Sequence, residues 1–185
     1  MKKCRSRILG AVLGTLLFAA LMPNAFANVP QVNSRLVRQV RHELATLPYY
    51  GVFDWLEFEA RPDGTVVLRG QVVRPTTKSE AEARVREVDG VRNVVNEIQV
   101  LPLSPQDDRL RVALYRALYS WDSPLFRYAT QAIPSIHIVV DRGRATLKGV
   151  VANKSDAQIA YTRARGVPGL FDVKNELIVE SELPR

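Results

Sequence analysis

Hydrophobic and polar positions along this chain follow a pattern that occurs twice and predicts a strand, a helix and a strand each time. In the first strand, Val66, Leu68 and Val72 share one parity while the other is largely polar, as expected when one sheet face is buried. A shift of 79 residues lays 64–100 on 143–179 without a gap, and 13 of the 37 aligned residues are identical. Chance gives about two or three identities. This period is too long for a solenoid, so the chain is a tandem duplication of a small domain.

The helix of each repeat is predicted from apolar residues at i, i+4 and i+7. In the first copy these are Ala81, Val85 and Val88, which form one apolar stripe. Two pairs have the spacing of a capping box, which predicts that a hydroxyl residue starts each helix. The pairs are Thr77 with Glu80 and Ser155 with Gln158.

Two glycines recur in each copy. Gly90 and Gly169 are predicted to end the helices, because glycine is the usual residue where a chain turns left-handed. Gly70 and Gly149 lie at inward positions of the first strand. The missing Cβ there would let a helix backbone come close or would mark a β-bulge.

The closing strand of each copy has an asparagine, Asn96 or Asn175, on its otherwise apolar inner face. Val94, Ile98 and Val100 hold the other inward positions of the first copy. We favour the interpretation that the amide ties down neighbouring backbone, and recognition of a ligand is the alternative.

One more helix and one more strand precede each repeated core. The helices are predicted to start at Ser34 and at Asp107 or Asp108, and a short helical turn is predicted at Ser123-Pro124. The inward residues of the extra strands are Leu56, Phe58 and Ala60 in the first copy and Ile136, Ile138 and Val140 in the second. The order α-β-β-α-β predicts an α+β fold, with two helices on one face of a three-stranded mixed sheet in each domain. The other sheet face is polar and is predicted to be bare or covered by a partner.

The first 27 residues predict a cleavable export signal. Basic residues precede a 15-residue apolar run at 8–22, and Ala25-Phe26-Ala27 fits a cleavage site. The run is shorter than the ~20 residues that span a membrane, although an uncleaved anchor is the alternative. Cys4 is the only cysteine and precedes the apolar run. The sequence therefore predicts a periplasmic protein that has no disulfide after cleavage and is not a lipoprotein.

Charge and motif content argue against nucleic-acid binding and catalysis. The whole chain carries +7, but without the first 27 residues it has 22 basic and 19 acidic side chains, a net charge of +3. That balance is a weak basis for nucleic-acid binding. His42 and His137 are predicted to lie on the surface, outside metal-ligand spacing, and the motifs of serine hydrolases, P-loop enzymes and zinc proteases are absent from the sequence. We therefore expect no metal, no cofactor and no enzymatic activity.

Three motifs resemble the BON domain of bacterial osmotic-shock and related envelope proteins. They are G-x-V-x-L-x-G-x-V at 64–72, V-x-G-V at 88–91 and V-x-N-x-I-x-V at 94–100, and the second copy follows at 143–151, 167–170 and 173–179, with Ala145 and Leu170 as departures. The resemblance places a first domain at 34–101 and a second at 108–180, joined by the proline-containing linker 102–107. It implies a periplasmic, non-catalytic module that binds membrane phospholipid or associates with other envelope components.

Basic and aromatic residues around the first helix of the second domain form the candidate binding site. They are Arg109, Arg116, Tyr119 and Trp121, and Arg111 is also predicted to point outward. Rings at headgroup depth with guanidinium groups on phosphates suit an anionic phospholipid surface. The alternatives are a satellite core for the aromatic residues and a solvated face for the arginines. A protein-interaction adaptor that adds partner strands to its sheet edges is the rival function.

Overall fold

The computed structural model describes residues 33–131 and 133–182. The predicted export signal at 1–27 lies outside these residues. The first half contains α1 (Ser34–Ala45), β1 (Trp55–Ala60), β2 (Thr65–Val72), α2 (Pro75–Arg86), β3 (Asn93–Asn96) and β4 (Gln99–Val100). The second half contains α3 (Pro105–Tyr119), α4 (Phe126–Ala129), β5 (Ile136–Asp141), β6 (Arg144–Val151), α5 (Lys154–Arg165), β7 (Asp172–Val179) and a short 3₁₀ helix (Glu180–Glu182).

Each half forms its own mixed sheet. In the first, β2 lies between the antiparallel β1 and the parallel β3 and β4. In the second, β6 lies between the antiparallel β5 and the parallel β7. The predicted α+β fold with two αββαβ domains is confirmed, including the parallel second and third strands joined through a helix.

Each half also has its own hydrophobic core between the helices and one sheet face. In the first core, the Leu36, Val40 and Leu44 stripe of α1 packs with inward strand residues such as Leu68. The second core repeats this arrangement with the leucines of α3. The inward parity predicted for the strands is therefore confirmed at core positions such as Leu68 and Leu147. Each apolar stripe holds its helix against one sheet face, because burial of these side chains is the main favourable contribution to folding.

The helix starts differ from those predicted. Asn33, Ser104 and Asn153 cap α1, α3 and α5 with their side-chain oxygens, and α2 begins at Pro75 without a side-chain cap. The predicted caps Ser34, Thr77, Asp107, Asp108 and Ser155 all lie inside the first turn. The prediction was wrong because asparagine and serine just upstream cap as well as the residues chosen, and proline suits the first helical position. The short helix α4 likewise begins at Phe126, after a turn in which Ser123 Oγ accepts a hydrogen bond from Leu125 N at 3.2 Å.

The recurrent glycines are explained by backbone geometry. Gly70 and Gly149 have φ of +127° and +117°, and a Cβ on either would lie 1.9 Å from the carbonyl oxygen of Trp55 or Ser135. The close neighbour is therefore the paired strand, and the predicted helix approach is wrong. Gly90, at φ +90°, adopts the predicted left-handed conformation in the turn after α2, which already ends at Arg86.

The closing strand is continuous as β7 but is interrupted between β3 and β4 in the first half. Val100, predicted to be an inward residue, is 39% exposed although it pairs with the buried Val72. Asn96 Nδ2 donates to Lys78 O at 3.1 Å, and its Oδ1 accepts from Ile98 N at 3.1 Å. Asn175 makes the equivalent bonds, so the amide ties the closing strand to the preceding helix, as favoured.

Candidate functional site

Helix α3 carries the candidate site on the face opposite its buried stripe. Ser104 caps the helix and Pro105 follows, a pairing that favours a helix start. Leu110, Leu114 and Leu118 are buried against the second sheet. The exposed face presents Arg109, Val112 and Arg116 at i, i+3 and i+7. This spacing places two cations and one apolar residue in a single line along the helix.

Asp107 fixes α3 to the hairpin between β5 and β6. Its carboxylate is buried and accepts hydrogen bonds from Arg142 N at 2.9 Å and Gly143 N at 2.8 Å. The position of the exposed face relative to the sheet is therefore set by a buried polar contact as well as by packing.

Arg111 does not belong to the exposed face, contrary to the prediction. Its side chain is only 4% exposed, and its guanidinium donates to Val140 O at 2.7 Å and to Asp108 Oδ1 at 2.5 Å. The long aliphatic part of arginine can cross apolar surface while the head finds partners elsewhere, and here the head meets a strand carbonyl. Arg111 is a structural residue.

Tyr119 is also placed differently from the prediction. It is 5% exposed and donates its hydroxyl proton to Ile136 O at 2.6 Å. Burial raises its pKa, so the phenol stays protonated. Its ring lies 5.1 Å from that of Tyr115. Tyr119 is therefore part of the second core, which agrees with the alternative that the aromatic residues form a satellite core.

The remaining predicted residues are Arg109, Arg116 and Trp121. Together with Val112, which the sequence analysis did not single out, they make up what we call the α3 strip. Trp121 follows the helix, is 86% exposed, and rests on Phe126 at 4.9 Å between ring centroids. Arg109 and Arg116 are seven residues apart, or about 10 Å along the helix. At the other end of α3, Leu103 is 96% exposed. The strip is a surface suited to a flat partner.

A second feature, the interface between the two halves, was missed by the sequence predictions. His137 is buried, and its Nδ1 donates to Asp54 O at 2.7 Å. The imidazole stacks on Tyr50 at 5.5 Å and meets the edge of Trp55 at 5.3 Å. Burial lowers the pKa of His137, so the neutral imidazole is favoured. The predicted surface position is wrong because the outer face of β5 is covered by the first half.

The same interface joins backbone to backbone. Ile138 N on β5 donates to Val52 O at 2.8 Å, so the loop before β1 lies along the outer edge of β5. Val52 and Phe53 pack against the second core, and the Phe53 ring lies 6.3 Å from that of Tyr115. The adjacent apolar residues Val52 and Phe53, which lie in a loop, were the sequence signal that could have predicted this contact.

The described residues offer no evident reaction centre. Among them, no cluster of three or more histidine, cysteine, aspartate or glutamate side chains could hold a metal ion. None of the helices in this part of the chain is long and apolar enough to cross a membrane. A groove of about 500 Å³ lies between α1 and α2, lined by basic and acidic residues that include the ion pair Arg84–Glu43 at 3.4 Å. Its charges are mixed and do not single out one ligand.

Two helix-backed sheets in tandem define a tandem α+β module. The chain belongs to the BON domain family, whose model, described as "BON domain", matches residues 56–102 and 125–181. Members of this family are generally non-catalytic and occur in periplasmic and envelope proteins, and the family is known for association with membranes and phospholipids.

The solved structures similar to this chain include two of one protein. One is CdsD, a structural protein of the type III secretion system of Chlamydia trachomatis, with 14% identity over 82% of this chain and 93% of that chain and a TM-score of 0.31. The other is the C-terminal domain of CdsD, with 16% identity over 82% of this chain and 99% of that chain and a TM-score of 0.31. No curated protein matches this chain.

Proposed function

We propose that this protein is a non-catalytic component of the bacterial periplasm that binds anionic phospholipid through the α3 strip and supports envelope integrity or stress tolerance. The observation that carries the proposal is the exposed line of Arg109, Val112 and Arg116 on α3, together with the exposed Trp121 that follows the helix. The periplasmic location rests on the predicted export signal.

The proposed geometry places α3 parallel to the membrane surface. A 15-residue helix is about 22 Å long, so the strip reaches several headgroups at once. Arg109 bonds to the neutral amide of Gln106 at 2.7 Å, which leaves its charge available to phosphate. Each arginine near an anionic membrane surface contributes about 1 kcal/mol to the binding free energy. An exposed tryptophan such as Trp121 favours the interface, where its ring is apolar and its N–H is hydrated.

Liposome co-sedimentation of the chain without its predicted signal tests this proposal. Binding should rise with the phosphatidylglycerol fraction of the vesicles and fall with added salt. The double variant Arg109→Glu/Arg116→Glu should lose most of this binding, since about 2 kcal/mol of attraction becomes repulsion. Trp121→Ala should weaken binding to the same vesicles.

The internal repeat supplies a matched control. Arg35 lies 74 residues before Arg109 on α1, and Arg38 is one turn further along. Arg35→Glu/Arg38→Glu introduces the same charge change on the first half and should leave vesicle binding within about twofold of the unmodified chain. Equal binding by the two double variants, or failure of the unmodified chain to bind any vesicle, would refute the proposal.

Protein–protein association at a sheet edge is the second candidate function. One specific observation favours it: β1 is an outer strand, and β2 is the only strand of the described sheet with which it pairs.

A further inference from the structure

The outer strands β1 and β5 are equivalent, but the chain covers the outer edge of β5 with its own loop. Leu56 pairs with Gly70 and Ile136 pairs with Gly149, so Phe58 occupies the place of Ile138. Ile138 N bonds to Val52 O and therefore points away from β6. Alternate residues of an outer antiparallel strand direct their N–H groups outward. The same register directs the N–H of Phe58 off the edge of β1.

A groove lies beside this edge, between β1 and the end of α1. It has a volume of about 300 Å³, and its lining is mostly apolar. The lining residues are Arg41, Leu44, Ala45, Tyr50, Leu56, Glu57 and Phe58.

In the second half, tyrosine side chains occupy the equivalent positions beside β5. A shift of 74 residues aligns Ala45 with Tyr119, whose hydroxyl bonds to the carbonyl of Ile136 on β5. The position of Arg41 corresponds to Tyr115, which contacts the ring of Phe53 from the first half. The edge of β5 is thus covered by a turn that includes Val52 and Phe53, with Val52 O accepting from Ile138 N. The groove beside β1 has the same strand edge and a smaller side chain, Ala45, in place of tyrosine.

The side chains of β1 define the chemistry of an added strand. Alternate residues of such a strand would lie beside Leu56 and Phe58 on the core face and beside Glu57 and Glu59 on the outer face. Two copies of β1 paired edge to edge would bring glutamates together, which disfavours self-association. Glu59 is already paired with Arg61 and Arg69, so a basic residue on the outer face of the added strand would be attracted mainly to Glu57.

We propose that the outer edge of β1 and its adjoining groove bind an extended segment of another protein in which apolar residues alternate with lysine or arginine. The segment joins the first sheet as an added strand, its carbonyl accepting from Phe58 N. This proposal rests on the second candidate function, protein association at a sheet edge. It is independent of phospholipid binding, since it uses the first half and a different surface.

The test uses a blocked, fluorescently labelled peptide of seven residues that alternates lysine with valine or phenylalanine. Anisotropy titrations with the chain without its predicted signal should show saturable binding. The same peptide with glutamate for lysine should bind about fivefold more weakly, and Glu57→Lys should reverse that preference. A peptide of identical composition with its lysines grouped at one end should bind more weakly than the alternating peptide. Equal affinity for both would indicate charge attraction alone and would overturn the proposal.

Two variants and one site-specific readout complete the test. Ala45→Trp fills the groove and should abolish peptide binding, while Arg109→Glu/Arg116→Glu should leave peptide affinity within about twofold. Circular dichroism checks that each variant is folded. Hydrogen exchange of the Phe58 amide should slow about tenfold with saturating peptide, because its N–H becomes bonded. Unchanged hydrogen exchange at the Phe58 amide would contradict the proposed site. The site would also be contradicted if Ala45→Trp lost vesicle binding but retained peptide binding.

Discussion

The two halves satisfy one equivalent backbone N–H with different side chains, and this difference gives a sharp prediction. Val73 N, just after β2, donates to Asp54 Oδ1 at 2.7 Å. Ala152 N, 79 residues later, donates to the hydroxyl of Tyr128 at 2.9 Å. The same hydroxyl donates to Asp156 Oδ2 at 2.6 Å, and Asp156 is buried. Tyr128 thus joins the inserted helix α4 to both β6 and α5.

The change Tyr128→Phe removes both of these bonds, together with a longer one that Arg127 donates to the same hydroxyl at 3.3 Å, and keeps the ring. The bond to the buried carboxylate of Asp156 is worth about 1.5–3 kcal/mol, and the neutral bond from Ala152 N about 1 kcal/mol. Arg127 also bonds to Asp156 and keeps that carboxylate partly satisfied. The expected loss is therefore in the lower part of the range, about 2–3 kcal/mol of unfolding free energy. For a chain of this size that corresponds to a fall in Tm of roughly 4–12 °C.

Urea denaturation at pH 7, followed by circular dichroism and tryptophan fluorescence, measures this loss. The matched control is Tyr161→Phe, since Tyr161 is a partly exposed tyrosine whose ring lies 5.7 Å from the guanidinium of Arg165. Its unfolding free energy should change by less than about 0.5 kcal/mol. If Tyr128→Phe is as stable as Tyr161→Phe, the hydroxyl does not hold α4 in place and the reasoning fails.

Two further predictions concern the strand glycines and the buried histidine. Gly149→Ala should lower the unfolding free energy by more than about 3 kcal/mol, because its Cβ would lie 1.9 Å from Ser135 O. The control Gly51→Ala, whose Cβ would have no atom within 4 Å, should be nearly neutral in the same urea assay. Burial lowers the pKa of His137, so the unfolded chain binds this proton at a higher pH than the folded chain does. The unfolding free energy should therefore fall as the pH drops below about 6.5 toward the folded pKa. The variant His137→Gln should reduce this dependence of unfolding free energy on pH, and the control His42→Gln should retain it. An undiminished slope in His137→Gln would contradict this account.

Strand positions and core residues could be predicted because burial imposes a period on the sequence. Leu68 and Leu147 hold the same inward position in the two repeats, and both are fully buried. Helix starts were harder to predict, because several adjacent residues can cap and the choice depends on where the chain enters the helix. The buried Thr77 illustrates this: its hydroxyl suggests a cap, yet it is the third residue of α2.

The candidate site could be predicted only in part. Trp121 and Tyr119 are two residues apart, and both are aromatic beside a basic helix, yet one is exposed and the other belongs to the core. Their separation depends on where α3 ends, which the apolar period leaves uncertain by a few residues. The burial of His137 could not be predicted, because it depends on a loop from the other half and no short-range pattern encodes that contact.

The bond between Ile138 and Val52 makes the order of the repeats matter. A chain with its halves transposed, or a fragment of the second half alone, would present the β5 edge uncovered, and uncovered edges invite association with other chains. The second copy therefore depends on the first to cover this edge, whereas β2 is the only strand among the described residues that pairs with β1. Related chains that carry a single repeat would then be expected to resemble the leading copy at this strand.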